Sequence, residues 1–172
     1  MFQDYMMYGI VPNIKKCEEN QNSFRSDRSS EDRNASDVLA IIVKSIQDEK
    51  EDEMFYKMLL ESTVNKEDKE IIMTIRDDER KHRSMLKDVY KAITGKEFMN
   101  DNSNLEDPKM ENFTYIQGLE KAFMGELAAF EKYRKVLMEM TDRELYNKIF
   151  EIMSDEMKHS IKYNYLITKN IK

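Results

Sequence analysis

Asp78-Glu79-Arg80-Lys81-His82 returns in the second half of the chain as Asp155-Glu156-Met157-Lys158-His159, and these two stretches hold the only histidines of the sequence. The repeat runs well beyond the two pentapeptides. Sliding the sequence along itself until His82 falls on His159 also places Glu49 on Glu126, Tyr56 on Tyr133, Leu60 on Leu137, Ile72 on Ile149 and Ile75 on Ile152. The chain therefore reads as two copies of one unit, and the spacing inside the unit says what that unit is.

Apolar or otherwise conspicuous residues fall in four series: Leu39, Ile42, Ile46, Glu49, Glu53, Tyr56, Leu60; Ile72, Ile75, Glu79, His82, Leu86, Val89, Ile93; Leu119, Phe123, Glu126, Phe130, Tyr133, Leu137, Met140; and Ile149, Ile152, Glu156, His159, Tyr163, Leu166. Each series alternates steps of three and four, which draws one stripe down one face of a helix. The punctuation agrees with four helices. Ser36-Asp37 is expected to cap the first, Asn65 with Glu67 and Asp68 to start the second, and Gly95 to stop it. Thr114 to Gln117 reads as a capping box for the third helix and Thr141-Asp142-Arg143-Glu144 as one for the fourth. Short turns make helices one and two, and three and four, antiparallel neighbours, while the connection over residues 96–111 is long enough for a crossover. The predicted fold is all-α: a four-helix bundle made of two repeated antiparallel helical hairpins, over residues 36–170.

Composition supports this and removes several functions. Four glycines and two prolines are too few for a sandwich or barrel of short turns. The longest uncharged stretch, Tyr5–Ile14, falls well short of the roughly 20 apolar residues of a membrane span, and no basic start precedes an apolar core as in a signal peptide. The chain is expected to be soluble and cytoplasmic, with no membrane partner. Cys17 alone forms neither an internal disulfide nor a four-cysteine metal knuckle. A net charge of −6 gives no electrostatic reason to bind nucleic acid or anionic lipid. Before the bundle, Glu18–Ser36 has no apolar period, so residues 1–35 are read as a flexible tail. Its first part, Met1–Ile14, is rich in Met, Tyr, Ile and Phe, and is expected to pack on the domain or a partner subunit, or to act as a docking peptide.

The informative residues are the polar ones standing on the apolar stripe: Glu49, Glu79, His82, Glu126, Glu156 and His159. Glu49 and Glu79 are separated by the same interval as Glu126 and Glu156, each time across a short turn, so each pair lies level near the middle of its hairpin. Docking the hairpins brings four carboxylates and two imidazoles together. Four uncompensated buried carboxylates would cost several kcal/mol each, and two metal cations remove that cost. Carboxylate with imidazole favours iron, manganese, zinc or cobalt over magnesium or calcium. A single Glu-x-x-His is a weak signal, because such pairs are common on solvated helix faces. Two copies that use every histidine, each Glu preceded by Asp and each copy matched by an upstream Glu at the same interval, are a specific one. Asp78 and Asp155 stand four positions before the histidines and are expected to accept the proton of the outward ring nitrogen on a neighbouring helix. Tyr56 and Tyr133 either reach a Glu carboxylate with their hydroxyls or simply pack. Glu53, one turn from Glu49, is read as an extra metal ligand, a nearby base, or a residue tilted to solvent.

This arrangement resembles the ferritin-like superfamily, and the Asp-Glu-x-x-His form with Glu and Tyr seven apart is closest to the di-iron domain of rubrerythrins over residues 36–168. The resemblance implies two iron ions, or manganese, held by Glu49, Glu79, His82, Glu126, Glu156 and His159, with Glu79 and Glu156 bridging and one histidine for each metal. It also implies a non-haem di-iron oxidoreductase that reduces peroxide or dioxygen. Two departures stand out: Ala129 occupies the place of a further Glu usual on that family's third helix, and the usual rubredoxin-like Cys₄ module is absent, so electrons are expected from a separate donor protein. The other readings are a ferroxidase or iron-handling protein, and a metal-stabilised binding or structural module. Its many Met, Tyr and Phe residues suggest at least a homodimer.

Overall fold

Four helices carry residues 30–99 and 113–171, the residues described in this computed structural model: α1 (Ser30–Glu61), α2 (Lys66–Thr94), α3 (Tyr115–Glu139) and α4 (Arg143–Asn170). There is no strand among the described residues. The docking segment expected at Met1–Ile14 and most of the middle connection lie outside them. The helix ends follow from local chemistry. The Asn65 side chain accepts from the Asp68 amide, and Gly95 closes α2 in the left-handed region at φ 70°, its N–H donating to Lys91 O at 2.8 Å. Thr114 and Gln117 form the reciprocal capping box of α3.

Two expected boundaries are corrected. Helix α1 starts at Ser30, not at a Ser36-Asp37 cap. The segment between carries no Gly or Pro to stop a helix, and an absent apolar period does not prevent helix formation. At α4 the cap is Asp142, which accepts from the Glu144 and Leu145 amides at 2.8 and 2.9 Å. Its carboxylate supplies the acceptor that the expected box gave to Thr141.

Helix α1 packs on α2 and α3 on α4, with α1 also facing α3 and α2 facing α4. The facing pairs show direction. Going up α1, Glu49 meets Tyr133 and Tyr56 meets Glu126, so numbers rise on one helix as they fall on the other. Thr74, His82 and Asp88 on α2 likewise meet Lys162, Asp155 and Lys148 on α4. Every packed neighbour is antiparallel, and α2 ends at the opposite end of the bundle from the start of α3, as a crossover requires. The result is a ferritin-like bundle of two hairpins.

The core is split along the bundle axis. One apolar cluster gathers Ile42, Ile46, Leu86, Val89, Val136, Ile149 and Ile152. The other gathers Leu59, Ile72, Ile75, Leu119, Tyr163 and Leu166. Between them lies a polar layer. At the far end Asp68, fully buried, accepts from Tyr115, Lys169 and Asn170, each at 2.9 Å, and so ties the starts of α2 and α3 to the end of α4. Gly118 allows that closure, since a Cβ there would stand 2.6 Å from Leu59 and 2.8 Å from Phe113.

Candidate metal centre

The polar layer consists of the six residues singled out on the stripes. Glu49, Glu79, His82, Glu126, Glu156 and His159 are each at most 3% exposed. They come from the middles of all four helices, where the apolar clusters above and below exclude water. Their donor atoms form two groups, Glu49, Glu79, His82 and Glu156, and Glu79, Glu126, Glu156 and His159, each with its atoms within 4.8 Å of one another. Glu79 and Glu156 belong to both. The two imidazole rings lie 5.7 Å apart.

Both histidines turn the same nitrogen inward. His82 Nδ1 lies 3.2 Å from Glu79 and 3.4 Å from Glu156, and His159 Nδ1 lies 3.3 Å from Glu79 and 3.5 Å from Glu126. The outward Nε2 atoms face carboxylates on the opposite hairpin: His82 to Asp155 at 3.3 Å, His159 to Asp78 at 3.1 Å. These are the aspartates expected to orient the rings, and the pairing is crossed. The tyrosines are crossed too. Tyr56 donates to Glu126 at 2.5 Å and Tyr133 donates to Glu49. Each reaches the carboxylate of the other repeat, so neither is there for packing alone.

Glu53 does not join the cluster. It pairs with Arg80 at 2.5 Å and Arg83 at 2.9 Å on the flank of α2. A step of four from Glu49 turns about 40° past a full helical turn, toward α2, whereas a step of three falls about 60° short, on the α3 side. The residue on that side is Asp52, which the stripe passed over. It lines a cavity of about 250 Å³ between α1 and α3 together with Asp48, Glu51, Gly125, Ala128, Ala129 and Lys132. The signal for it was the small Gly125, Ala128 and Ala129 on the facing helix.

Electrostatics divide the four glutamates. Burial pushes the Glu49 and Glu126 carboxyls well up, with neighbouring glutamates adding to the effect. Burial opposes ionisation of Glu79 and Glu156 too, yet the two imidazoles hold both below the usual carboxylate range. Burial would lower His82, but Glu156 and Glu79 raise it to about 10, and His159 is raised in the same way. Without metal the shifts thus favour protonated imidazoles beside ionised Glu79 and Glu156, and the protonated forms of Glu49 and Glu126. Asp52 is raised to about 7 by burial and by the charge of Glu79 and Glu156.

The residues fit a pair of metal ions on their own chemistry. Glu79 Oε1, Glu156 Oε1 and His159 Nδ1 are buried and, though close to one another across the layer, make no hydrogen bond of good geometry, so they stand ready for coordination. Two dications with four carboxylates and two neutral imidazoles sum to zero charge. Fold and site together define a ferritin-like bundle with a buried carboxylate–histidine centre suited to metal.

A family model described as Rubrerythrin matches residues 40–167, and the chain belongs to that family. A solved structure, a hypothetical protein from Pyrococcus furiosus, is similar in fold, with a TM-score of 0.66 at 22% identity over 76% of this chain and 88% of the other. No curated protein matches the chain. No helix among the described residues is long and apolar enough to cross a membrane.

Proposed function

We propose that the protein is a non-haem di-iron oxidoreductase that reduces peroxide or dioxygen with electrons from a separate donor protein. The observation that supports it most is the pair of donor groups sharing Glu79 and Glu156, with one imidazole to each. In this reading Glu49, Glu79, His82 and Glu156 would hold one ion and Glu79, Glu126, Glu156 and His159 the other. Two ferrous ions, when bound, would supply two electrons together, which with two protons convert one hydrogen peroxide to two waters.

The chain's own residues prepare this chemistry. Asp155 and Asp78 hold the rings so that Nδ1 points at the cluster. The hydroxyls of Tyr133 and Tyr56 fix the carboxylates of Glu49 and Glu126. The apolar clusters on either side keep bulk water away, which strengthens every charge interaction in the layer.

The test is metal analysis and an optical spectrum of protein purified without oxygen, followed by peroxide consumption with an added reductant. Two irons per chain and catalytic loss of peroxide are expected. Iron held well beyond two per chain without peroxide turnover would replace this reading with iron handling, and two manganese ions would replace the metal.

A further inference from the structure

The two sides of the polar layer are built differently. On the α2/α4 side the cluster is covered by the His82–Asp155 and His159–Asp78 pairs, and outside them by Lys158 on Asp155 at 2.6 Å and Lys81 on Glu151. On the α1/α3 side no histidine–aspartate pair covers the cluster among the described residues, and the cross-helix ion pair there, Lys132 with Asp48, lines an open space. There the cavity of about 250 Å³ lies between Asp48, Glu51 and Asp52 on one helix and Gly125, Ala128, Ala129 and Lys132 on the other.

The cavity sits beside the centre. Asp48 and Asp52 bracket Glu49 along α1, and Gly125 and Ala129 bracket Glu126 along α3. Its width comes from small residues: a Cβ placed on Gly125 would meet nothing within 4 Å. One of its three carboxylates is paired: Lys132 meets Asp48 at 3.1 Å, and Lys44 holds the other Asp48 oxygen at 2.9 Å. Asp52 is left without a hydrogen-bond partner among the described residues. The volume would hold several water-sized molecules at about 30 Å³ each.

We infer that this cavity is the port by which a small, neutral, hydrogen-bonding oxidant of the hydrogen peroxide class reaches the carboxylate–histidine centre, with Asp52 as the positioning residue that accepts its hydrogen bond. The inference rests on the di-iron reading above and extends it to the path of the substrate. A neutral donor molecule suits the unpartnered Asp52 carboxylate facing the small Gly125, Ala128 and Ala129.

The test uses the full chain loaded with iron. Gly125→Leu fills the cavity while replacing glycine with a better helix former, and Ala128→Leu on its rim is the second plug. Nitric oxide, a neutral probe, is mixed with the reduced protein and its binding followed optically, beside peroxide kcat/KM and iron content. Both plugs should keep their iron and slow nitric oxide binding by about tenfold or more. Asp52→Asn should leave the nitric oxide rate alone and lower peroxide kcat/KM by about tenfold through KM, the size expected for losing a charged hydrogen bond. An unchanged nitric oxide rate in both plugs overturns the port, as does slowed iron loading with normal nitric oxide binding, which would make the cavity a metal route. An unchanged KM in Asp52→Asn overturns its role. A wild-type protein that binds nitric oxide but never reduces peroxide overturns the proposed function, while the plugs still decide the port.

Discussion

The two hairpins agree at the centre of the bundle and part company on one face. Glu49 and Glu126, Glu79 and Glu156, His82 and His159, and the supporting Asp and Tyr residues occupy equivalent places and make equivalent, crossed contacts. On the α1/α3 face the shift that superimposes the histidines sets Asp48 against Gly125, Glu51 against Ala128, and Asp52 against Ala129. These are the six residues that line the cavity with Lys132. The comparison separates two demands on one repeat. A balanced set of metal donors needs both copies alike, and an opening beside it needs them unlike.

The largest effect should come from residues that both donor groups share. Glu79→Ala or Glu156→Ala should abolish loading of both ions by elemental analysis, whereas Glu49→Ala or Glu126→Ala should leave one site able to fill. Equal losses in all four variants would end the distinction between shared and single-group glutamates. Next in size is pH. Neighbouring carboxylates raise His82 to about 10 and raise His159 as well, and burial pushes Glu49 and Glu126 well up, so each shift favours the protonated form in the metal-free layer. Loading two ions should therefore release protons, in a number set by how many of these groups are protonated beforehand, and affinity should rise with pH. Calorimetry in buffers of different ionisation enthalpy reads that number, and a release near zero would show that the metal-free layer is charged otherwise.

A smaller effect probes the symmetry itself. Asp155→Asn and Asp78→Asn should each weaken metal binding by about 10–100-fold, with Asp155 the more costly because its side chain is 13% exposed against 37% for Asp78. Competition with a chelator would measure the gap, and a larger loss in Asp78→Asn would contradict it. The smallest effect belongs to Glu53→Gln, which removes a partly exposed ion pair. Iron content should not change and stability should fall by less than about 1 kcal/mol in denaturant unfolding.

Much of this was legible because α2 and α4 carry narrow stripes. Ile72, Ile75, Glu79, His82, Leu86 and Val89, and Ile149, Ile152, Glu156, His159, Tyr163 and Leu166, are buried as their spacing predicts, while Ile93, the last of the α2 series, is exposed near the helix end. On α1 and α3 the buried face drifts by one position at its edges, to Val38, Leu59, Ala122 and Val136 in place of Leu39, Leu60, Phe123 and Leu137. Steps of three and four leave a helix face uncertain by about one position, and consecutive apolar pairs such as Leu59-Leu60 offer no arbiter. Asp52 was invisible for a related reason. Every residue from Asp48 to Glu53 is charged, a run that reads as solvated unless the facing residues are known. Crossed partners depend on which helix faces which, and that is a property of topology.

The chain keeps in one polypeptide an arrangement that two separate identical hairpins could also form, since each half brings the same donors to a two-fold layer. Two separate copies would have to carry Asp52 on both sides or on neither. Joining them by a peptide link frees each copy to vary by itself, so a symmetric centre can have a front and a back. That polarity gives a molecule arriving from solvent one preferred direction of approach.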